Sequence, residues 1–192
     1  MNILTSPLPT KIKVNDNIYD INYDYRTVIN ILLAFEDQEL TNQEKAYIML
    51  KNLYKEEIPV DDVEEAINKA IKFIDCGKEY TKNNSSERVY SFNKDANYIF
   101  TGINSTHHID IDEKPNLHWW KFVDFFMDMS NECMFGELIY YRKRKIEGKL
   151  TKEEKQNYEK IKDLVDLEKV KIQSEDRKRF FEEFNKNKNK EV

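Results

Sequence analysis

The segment 117–129, LHWWKFVDFFMDM, is the most informative stretch of this sequence. If it is helical, apolar and aromatic side chains fall on nearly all of its sides, and a helix of that kind is buried on several faces. Pro115 suits the first turn, where a missing N–H is not required. We therefore predict that this helix is the centre of the fold. Adjacent helical positions lie about 100° apart. Trp119 and Trp120 therefore point in different directions, and we expect one ring to meet a second helix layer, a subunit or a partner.

The N-terminal part of the chain predicts a β-hairpin. In residues 10–23, Ile12 and Val14 alternate with polar residues, and Ile18 and Ile21 follow the turn-forming run 15–17. A lone hairpin is marginal in water, so we expect this one to pack on helices.

Capping residues indicate where the helices begin. Asp24 and Asp95 are predicted N-caps. In a capping box, a polar N-cap residue and a glutamate three positions later bind each other's backbone N–H groups. Boxes are predicted at 41–44, 61–64 and 151–154, and apolar residues recur at helical spacing after each of them.

The predicted fold class is mainly α with a small N-terminal β-hairpin: a compact multi-helix bundle around the central aromatic helix, plus a charged helical arm. Residues 8–77 hold the hairpin and three helices, and Gly77 follows the last helix in a left-handed conformation. Residues 78–94 are a polar linker or loop. Residues 95–147 are the central aromatic region, in the same domain, and 148–192 are the charged arm with a disordered end. Four glycines and four prolines in 192 residues favour helices over turns.

Charge is distributed unevenly along the chain. From residue 141 onward there are 17 lysines and arginines against 12 acidic residues, whereas the rest of the chain has 14 against 24. We interpret the basic end as a solvated helical arm; alternatively, it reaches a second subunit or docks an acidic partner. Nucleic acid is not an expected partner, because carboxylates interleaved with the basic residues compete with phosphate.

No motif predicts an enzyme, and we expect neither a metal nor a cofactor. His107, His108, Asp110 and Asp112 lie close together, but their spacing does not supply the three or four converging ligands of a zinc site. Four scattered glycines cannot form a phosphate-binding loop. An acid–base pair assembled from distant carboxylates stays open as an alternative that no motif supports.

The tryptophan pair raises the question of base stacking. Stacking platforms place exposed rings in a basic groove, whereas Lys121 is the one basic neighbour here. Core packing is the preferred interpretation, and any exposed ring is expected to contact protein. Methionines adapt to many partner shapes, although core filling explains them equally well. The candidate partner-binding residues are Trp119, Trp120, Met127, Met129, Phe180 and Phe184.

The sequence also predicts a cytoplasmic protein without a membrane segment. No apolar run approaches the ~20 residues that span a bilayer, and the N-terminus lacks the basic start and apolar run of a signal peptide. Cys76 and Cys133 do not make a disulfide framework, and both are expected to be reduced, buried thiols.

Three motifs carry a resemblance to a known family: LHWWKF at 117–122, DANYIF at 95–100 and LIYYR at 138–142. The N-terminal hairpin followed by a helix also fits, through Tyr23, Asp24 and Arg26. Over roughly residues 8 to 170, the chain resembles the bacteriophage gene product fifteen family. These small proteins are encoded just before the tape-measure gene in long-tailed phages and prophages of Gram-positive bacteria. LHWWKF is the specific part, since paired tryptophans in a helix are rare; the segment after about residue 145 is more extended than the family pattern.

The resemblance implies a function in phage tail morphogenesis. The family is similar in genome position to tail assembly chaperones, which bind the hydrophobic tape-measure protein until the tail tube polymerises around it. The implied partners are the tape-measure protein, other tail proteins and a second copy of this chain, all in the host bacterial cytoplasm. A structural component that stays in the tail or tail tip is the alternative. The resemblance supplies no catalytic residues.

Overall fold

The computed structural model describes residues 3–78 and 87–168, and these two ranges form two compact units. Residues 79–86 of the predicted linker and residues 169–192, which include the predicted disordered end of the arm, lie outside the described residues. The prediction of a mainly helical protein with a small N-terminal hairpin is confirmed. No helix of the described residues is long and apolar enough to cross a membrane.

The first unit contains the hairpin and three helices. Its elements are β1 (Lys11–Val14), β2 (Asn17–Asp20), α1 (Tyr25–Glu36), α2 (Asn42–Leu53) and α3 (Val63–Ile74). Helix α1 packs on α2, α2 packs on α3, and α3 packs on β1. The hairpin therefore has the helical support that its small size requires.

The register of the hairpin decides which of its side chains are buried. Strands β1 and β2 are antiparallel, with Ile12 opposite Tyr19 and Lys13 opposite Ile18. Ile12 and Tyr19 are buried, whereas Ile18 is 64% exposed. The location of the hairpin is confirmed. Ile18, however, lies on the outer face, because the side chains of successive strand residues alternate between faces and Tyr19 takes the inner position.

The predicted capping box at 61–64 is wrong. A short 3₁₀ turn, Val60–Asp62, precedes α3, so the N-cap residue is Asp62 rather than the predicted Asp61, and Asp62 makes no side-chain capping bond. Its carboxylate instead accepts hydrogen bonds from Asn15 Nδ2 at 2.7 Å, Asn17 Nδ2 at 3.1 Å and the Tyr19 hydroxyl at 3.1 Å. Hydrogen bonds from the two asparagines hold the pKa of Asp62 below its ordinary value. Asp62 thus joins the start of α3 to the hairpin, a use that helix-capping rules do not anticipate.

The predicted helix boundaries at Asp24, Thr41, Thr151 and Gly77 are confirmed. Asp24 accepts a hydrogen bond from the Arg26 N–H at 2.9 Å. Thr41 and Thr151 each form a complete capping box with the glutamate three residues later. Gly77 follows α3 with φ +76°, the left-handed conformation that glycine adopts without steric cost.

The second unit contains four helices: α4 (Ala96–His107), α5 (Trp119–Met127), α6 (Met134–Ile146) and α7 (Lys152–Val165). Helix α4 packs on both α5 and α6, and α7 packs on α6. Gly148, with φ +67°, lies in the turn between α6 and α7. Helix α7 lies in the region predicted as a charged helical arm, and it packs on α6 of the same unit.

Pro115 does not occupy the first turn of the aromatic helix, so that prediction is wrong. Helix α5 begins at Trp119, and His118 is its N-cap. The His118 Nδ1 atom accepts a hydrogen bond from the Trp120 N–H at 3.1 Å and satisfies a donor that the first turn leaves unpaired. Asn116 has φ +54°, which turns the chain between Pro115 and the helix.

Candidate functional site

Helix α5 is held by stacked aromatic rings. The Trp119 and Phe122 rings lie 5.6 Å apart with an interplanar angle of 17°, and the Phe122 and Phe126 rings lie 6.4 Å apart at the same angle. Phe126 also contacts Phe135 of α6, with ring centroids 5.5 Å apart. We call these four residues the aromatic stack. It arises because residues three and four apart lie on the same side of a helix.

Both tryptophans are buried, although they point in different directions. Trp119 belongs to the aromatic stack, and 4% of it is exposed. Trp120 is 8% exposed and meets the His118 ring edge to face, with centroids 6.1 Å apart. The local fold therefore accommodates two adjacent tryptophans, one in the stack and one against the capping histidine.

The other candidate partner-binding residues have different environments. Met127, at the last position of α5, is 71% exposed, and Met129 is half-buried. Phe180 and Phe184 lie outside the described residues. Of the six candidates, Met127 thus has the most accessible side chain among those described. Partner binding by any of the six stays a prediction.

The most extensive polar cluster of the second unit surrounds Arg142 of α6. Arg142 and Asp95 are 4% and 0% exposed at their side chains and form a two-pronged ion pair, with nitrogen–oxygen distances of 2.6 and 2.9 Å. Arg142 also donates to the carbonyl oxygens of Val165 at 2.6 Å, Leu164 at 3.0 Å and Val89 at 3.1 Å. The guanidinium has five N–H donors, and this arrangement gives it five acceptor contacts. A buried ion pair is tolerated when its remaining hydrogen-bonding groups are satisfied in this way.

Asp95 therefore does not cap α4 with its side chain, which corrects the prediction. It occupies the N-cap position without a side-chain capping bond. Its carboxylate accepts from the Ser91 N–H at 2.9 Å in addition to Arg142. The requirement to pair a buried guanidinium outweighs the smaller benefit of capping a helix.

The C-terminal end of α7 is bound by three basic residues. Arg142 binds the last two carbonyl groups of the helix. Lys94 Nζ donates to the Asp163 carbonyl at 2.6 Å and to the Asp166 carbonyl. Lys145 Nζ lies 2.5 Å from the Asp166 carboxylate. We call Lys94, Arg142 and Lys145 the C-terminal clamp. Lys94 and Arg142 bind main-chain carbonyl groups at the helix end, whereas Lys145 binds the Asp166 carboxylate. All three positive charges favour the negative end of the helix dipole.

Hydrogen bonds and burial shift the pKa values of Asp166 and Lys145 at the C-terminal end of α7. Burial raises the pKa of Asp166, but hydrogen bonds from Lys145 and the Tyr158 hydroxyl outweigh it and hold the pKa below its ordinary value. Burial lowers the pKa of Lys145, and hydrogen bonds to Asp166 and Tyr158 raise it above its ordinary value. Both residues are thus charged near neutral pH and bind the end of α7 to α6.

The N-terminal end of α7 is bound to α6 through Glu154 of the capping box. The Glu154 carboxylate accepts from the Tyr140 hydroxyl at 2.6 Å, the Thr151 N–H at 2.7 Å and Arg144 Nε at 3.1 Å. The bonds from Tyr140 and Thr151 lower the pKa of Glu154 to about 2. Both ends of α7 are therefore held by polar contacts.

Between the two ends, α7 covers a small apolar surface. Tyr158 and Val165 are buried against Leu138 and Tyr141 of α6, and Ile161 packs beside them. We call the surface beneath α7 the α7 groove; its residues are Tyr98, Met134, Leu138 and Tyr141, and Leu150 of the turn before α7 packs beside them. Within α7, Ile161 departs from helical geometry, with φ −116° and ψ 16°.

Sequence reasoning missed the Arg142–Asp95 pair, although a signal was present. The pattern assigned Arg142 to a solvated basic run. It nevertheless follows Leu138 by four positions, and therefore lies on the apolar side of the helix. Arginine is rarely buried without a partner. That position alone required an acceptor, and the chain has 36 carboxylates that could have provided it.

The C-terminal clamp and the α7 groove together are suited to holding a helix. The described residues contain no group of three or more His, Cys, Asp or Glu side chains that could hold a metal ion. His107 Nε2 lies 2.9 Å from the Phe125 carbonyl oxygen and joins α4 to α5. Cys76 and Cys133 form no disulfide with each other, and both are half-buried rather than buried as predicted. The Cys133 Sγ atom accepts a hydrogen bond from the Gly136 N–H and caps α6.

The fold and these contacts define a small, mainly helical protein in which Arg142, Arg144 and Lys145 of α6 bind neighbouring helices through charged contacts. Over residues 4–167 the chain matches the family described as Bacteriophage Gp15 protein, and it belongs to that family. No curated protein and no solved structure matches it. Two motifs on which the resemblance was based, DANYIF (95–100) and LIYYR (138–142), contribute the two members of the buried Asp95–Arg142 ion pair.

Proposed function

We propose that this phage protein is a tail assembly chaperone, which binds the tape-measure protein transiently in the host bacterial cytoplasm before the tail tube polymerises. The observation that carries the proposal is the family match over residues 4–167, which spans both units. The proposed activity is binding, so the proposal assigns no reaction to any residue.

One exposed residue of the second unit, Met127, supports the proposal. Met127 is 71% exposed at the end of a helix whose other aromatic and apolar residues are mostly buried or half-buried. Methionine is flexible and polarizable, and it contacts apolar segments of varied shape. A chaperone that meets many segments of a long helical protein needs an adaptable contact of this kind.

The proposal is tested by co-expressing the protein with the tape-measure protein of the same phage. We expect the soluble fraction of the tape-measure protein to rise, because its apolar helices are covered while they await the tube protein. An unchanged soluble fraction would contradict a chaperone function. The complex of this protein with the tape-measure protein is then isolated from the soluble fraction, and its composition is measured by mass spectrometry.

A matched pair of substitutions locates the contact. Met127→Glu places a charge at the exposed end of α5 and is expected to reduce the soluble tape-measure protein. Val60→Glu is the control, since Val60 is 78% exposed but belongs to the first unit. Equal effects of the two changes would show that Met127 makes no specific contact.

The second candidate function is a structural component of the tail or tail tip. It is supported by the same family match, and the composition of purified virions separates the two candidates. A chaperone is absent from mature tails, whereas a structural component is present in a fixed ratio to the other tail proteins.

A further inference from the structure

We infer that α7 is a displaceable occupant of the α7 groove, and that the same groove binds an amphipathic helix of a partner when α7 leaves. The identification of that partner as the tape-measure protein rests on the proposed function. The binding mode is a helix in a groove, in which a few apolar anchors on one face of the helix supply most of the contact.

Helix α7 makes only a small apolar contact with its unit. Only Tyr158 and Val165 are buried among its 14 residues. Helix α3, with 12 residues, buries four. Most stabilisation of a protein helix comes from its buried apolar face, so α7 is held weakly by this criterion. The non-helical geometry of Ile161 divides α7 further into two short halves.

The polar contacts at the two ends of α7 bind groups that many helices carry. The C-terminal clamp binds main-chain carbonyl oxygens, which every helix end presents, and Asp166 supplies one further carboxylate. At the other end, Arg144 and Tyr140 bind Glu154, an acidic residue in the first turn. A carboxylate in the first turn is common in helices because it favours the helix dipole. The contacts therefore recognise general features of a helix rather than one particular sequence.

The α7 groove would keep its buried charges paired after α7 leaves. Arg142 would keep its ion pair with Asp95 and its bond to the Val89 carbonyl, so its charge would stay paired. Its remaining N–H groups would then be free to bind the last carbonyl groups of an incoming helix. Gly148, in a left-handed turn with open space around its Cβ position, lies at the start of the segment that must move.

The contacts of α7 with the groove and at its two ends define the features that a partner helix needs. It carries an aromatic and an aliphatic anchor seven residues apart, as Tyr158 and Val165 are in α7, with an apolar residue at the third position after the aromatic anchor. It also has an acidic residue in its first turn and another just after its end. A long, hydrophobic, helical protein presents such segments repeatedly.

The probe for the test is a fluorescent synthetic peptide with the sequence of residues 151–168. In the wild-type chain, the tethered α7 competes at an effective concentration in the millimolar range, so binding of the peptide is weak. Asn157→Pro breaks α7 at an exposed position that does not belong to the groove. We expect the apparent affinity of the full chain for the peptide to rise at least about tenfold, because the binding-competent fraction increases.

Two controls keep the result specific. Asn157→Ala preserves the helix and is expected to bind the peptide as weakly as the wild type. A peptide in which the residues corresponding to Tyr158 and Val165 are alanine is expected not to bind the Asn157→Pro chain. The near-ultraviolet circular dichroism of the tryptophans reports whether α5 remains packed. A packed Asn157→Pro chain that does not bind the peptide would overturn the inference.

Other occupants are distinguished by oligomeric state and by co-expression. If the wild-type chain is a dimer that the peptide dissociates, the groove is occupied by α7 of a second copy, which overturns the partner assignment. If the wild-type chain solubilises the tape-measure protein and Asn157→Pro does so no better, the inference fails while the proposed function stands. If neither chain solubilises it, the proposed function fails, and the peptide alone decides whether the groove exchanges its helix.

Discussion

Helices α5 and α7 belong to the same unit, yet they are held in opposite ways. Helix α5 has nine residues and a stack of aromatic rings with both tryptophans buried. Helix α7 has 14 residues, two buried side chains and polar contacts at both ends. Apolar burial stabilises in proportion to the area removed from water, whereas charged contacts near the surface depend on pH and salt. The difference predicts that α7 opens under conditions in which α5 stays packed.

The largest expected change in the free energy of unfolding follows from the loss of a ring of the aromatic stack. Trp119→Ala removes a side chain that is 4% exposed and is expected to lower the free energy of unfolding by about 3–5 kcal/mol. Chemical denaturation followed by circular dichroism measures the change. Met127→Ala, at an exposed position of the same helix, is the control and is expected to cost within about 0.5 kcal/mol.

The same experiment separates core packing from partner binding at the tryptophans. A cost below about 1 kcal/mol for Trp119→Ala, combined with lost partner binding, would make that ring an interface residue. The aromatic stack would then not be what holds α5 in place.

The second effect concerns the ion pair. Arg142→Met leaves the Asp95 carboxylate buried without its cation and is expected to cost about 3 kcal/mol, the lower end for a broken buried pair, because Lys94 and Lys145 still bind α7. Thermal and chemical denaturation measure the loss. In the double variant Asp95→Leu/Arg142→Met, no charge is left buried, so the stability is expected to recover in part. Equal losses in the single and double variants would contradict the pairing.

A smaller effect distinguishes the two capping boxes. Thr151→Ala is expected to lower the free energy of opening α7 by about 1 kcal/mol, and Thr41→Ala is expected to destabilise the first unit by a similar amount. Hydrogen exchange of the α7 amides should accelerate only in the Thr151 variant. Acceleration in both variants would mean that α7 opens only when the whole chain unfolds.

The pH dependence of α7 is the mildest test, since it changes no residue. Hydrogen bonds from Tyr140 of α6 and from the Thr151 N–H of the capping box lower the pKa of Glu154 to about 2 in the folded chain, from an ordinary value of 4.5. A depressed pKa stabilises the folded form above the unfolded pKa, and this contribution disappears as the pH falls from about 4.5 to about 2. We expect α7 exchange to accelerate across that interval, and Glu154→Gln to weaken the dependence. The same pH dependence in the variant and the wild type would exclude Glu154 as its source.

Some features of the fold were predictable because they depend on neighbours in sequence. The hairpin at 11–20, the boxes at Thr41 and Thr151 and the turn at Gly77 each follow from residues within a few positions of one another. The start of α5 was misplaced because a histidine supplies its cap, and histidine is not among the usual N-cap residues.

The candidate site was less predictable, since its contacts join distant residues. Asp62 and Asp95 both sit where a helix begins, and the sequence alone favours a capping function for such residues. In the folded chain, Asp62 binds the hairpin and Asp95 binds Arg142, 47 positions further along. The residues of LHWWKF were identified as structurally important, but the burial of both tryptophans depends on side chains that periodicity does not reveal.

Hydrogen exchange on the wild-type chain under native conditions tests the central comparison most directly. The account predicts that the amides of α7 exchange through an opening of their own, at least about tenfold faster than those of α5 after correction for sequence, or about 1.4 kcal/mol less in opening free energy. Equal opening free energies for α5 and α7, both matching global unfolding of the unit, would contradict the claim that a polar clamp holds α7 separately from the aromatic stack.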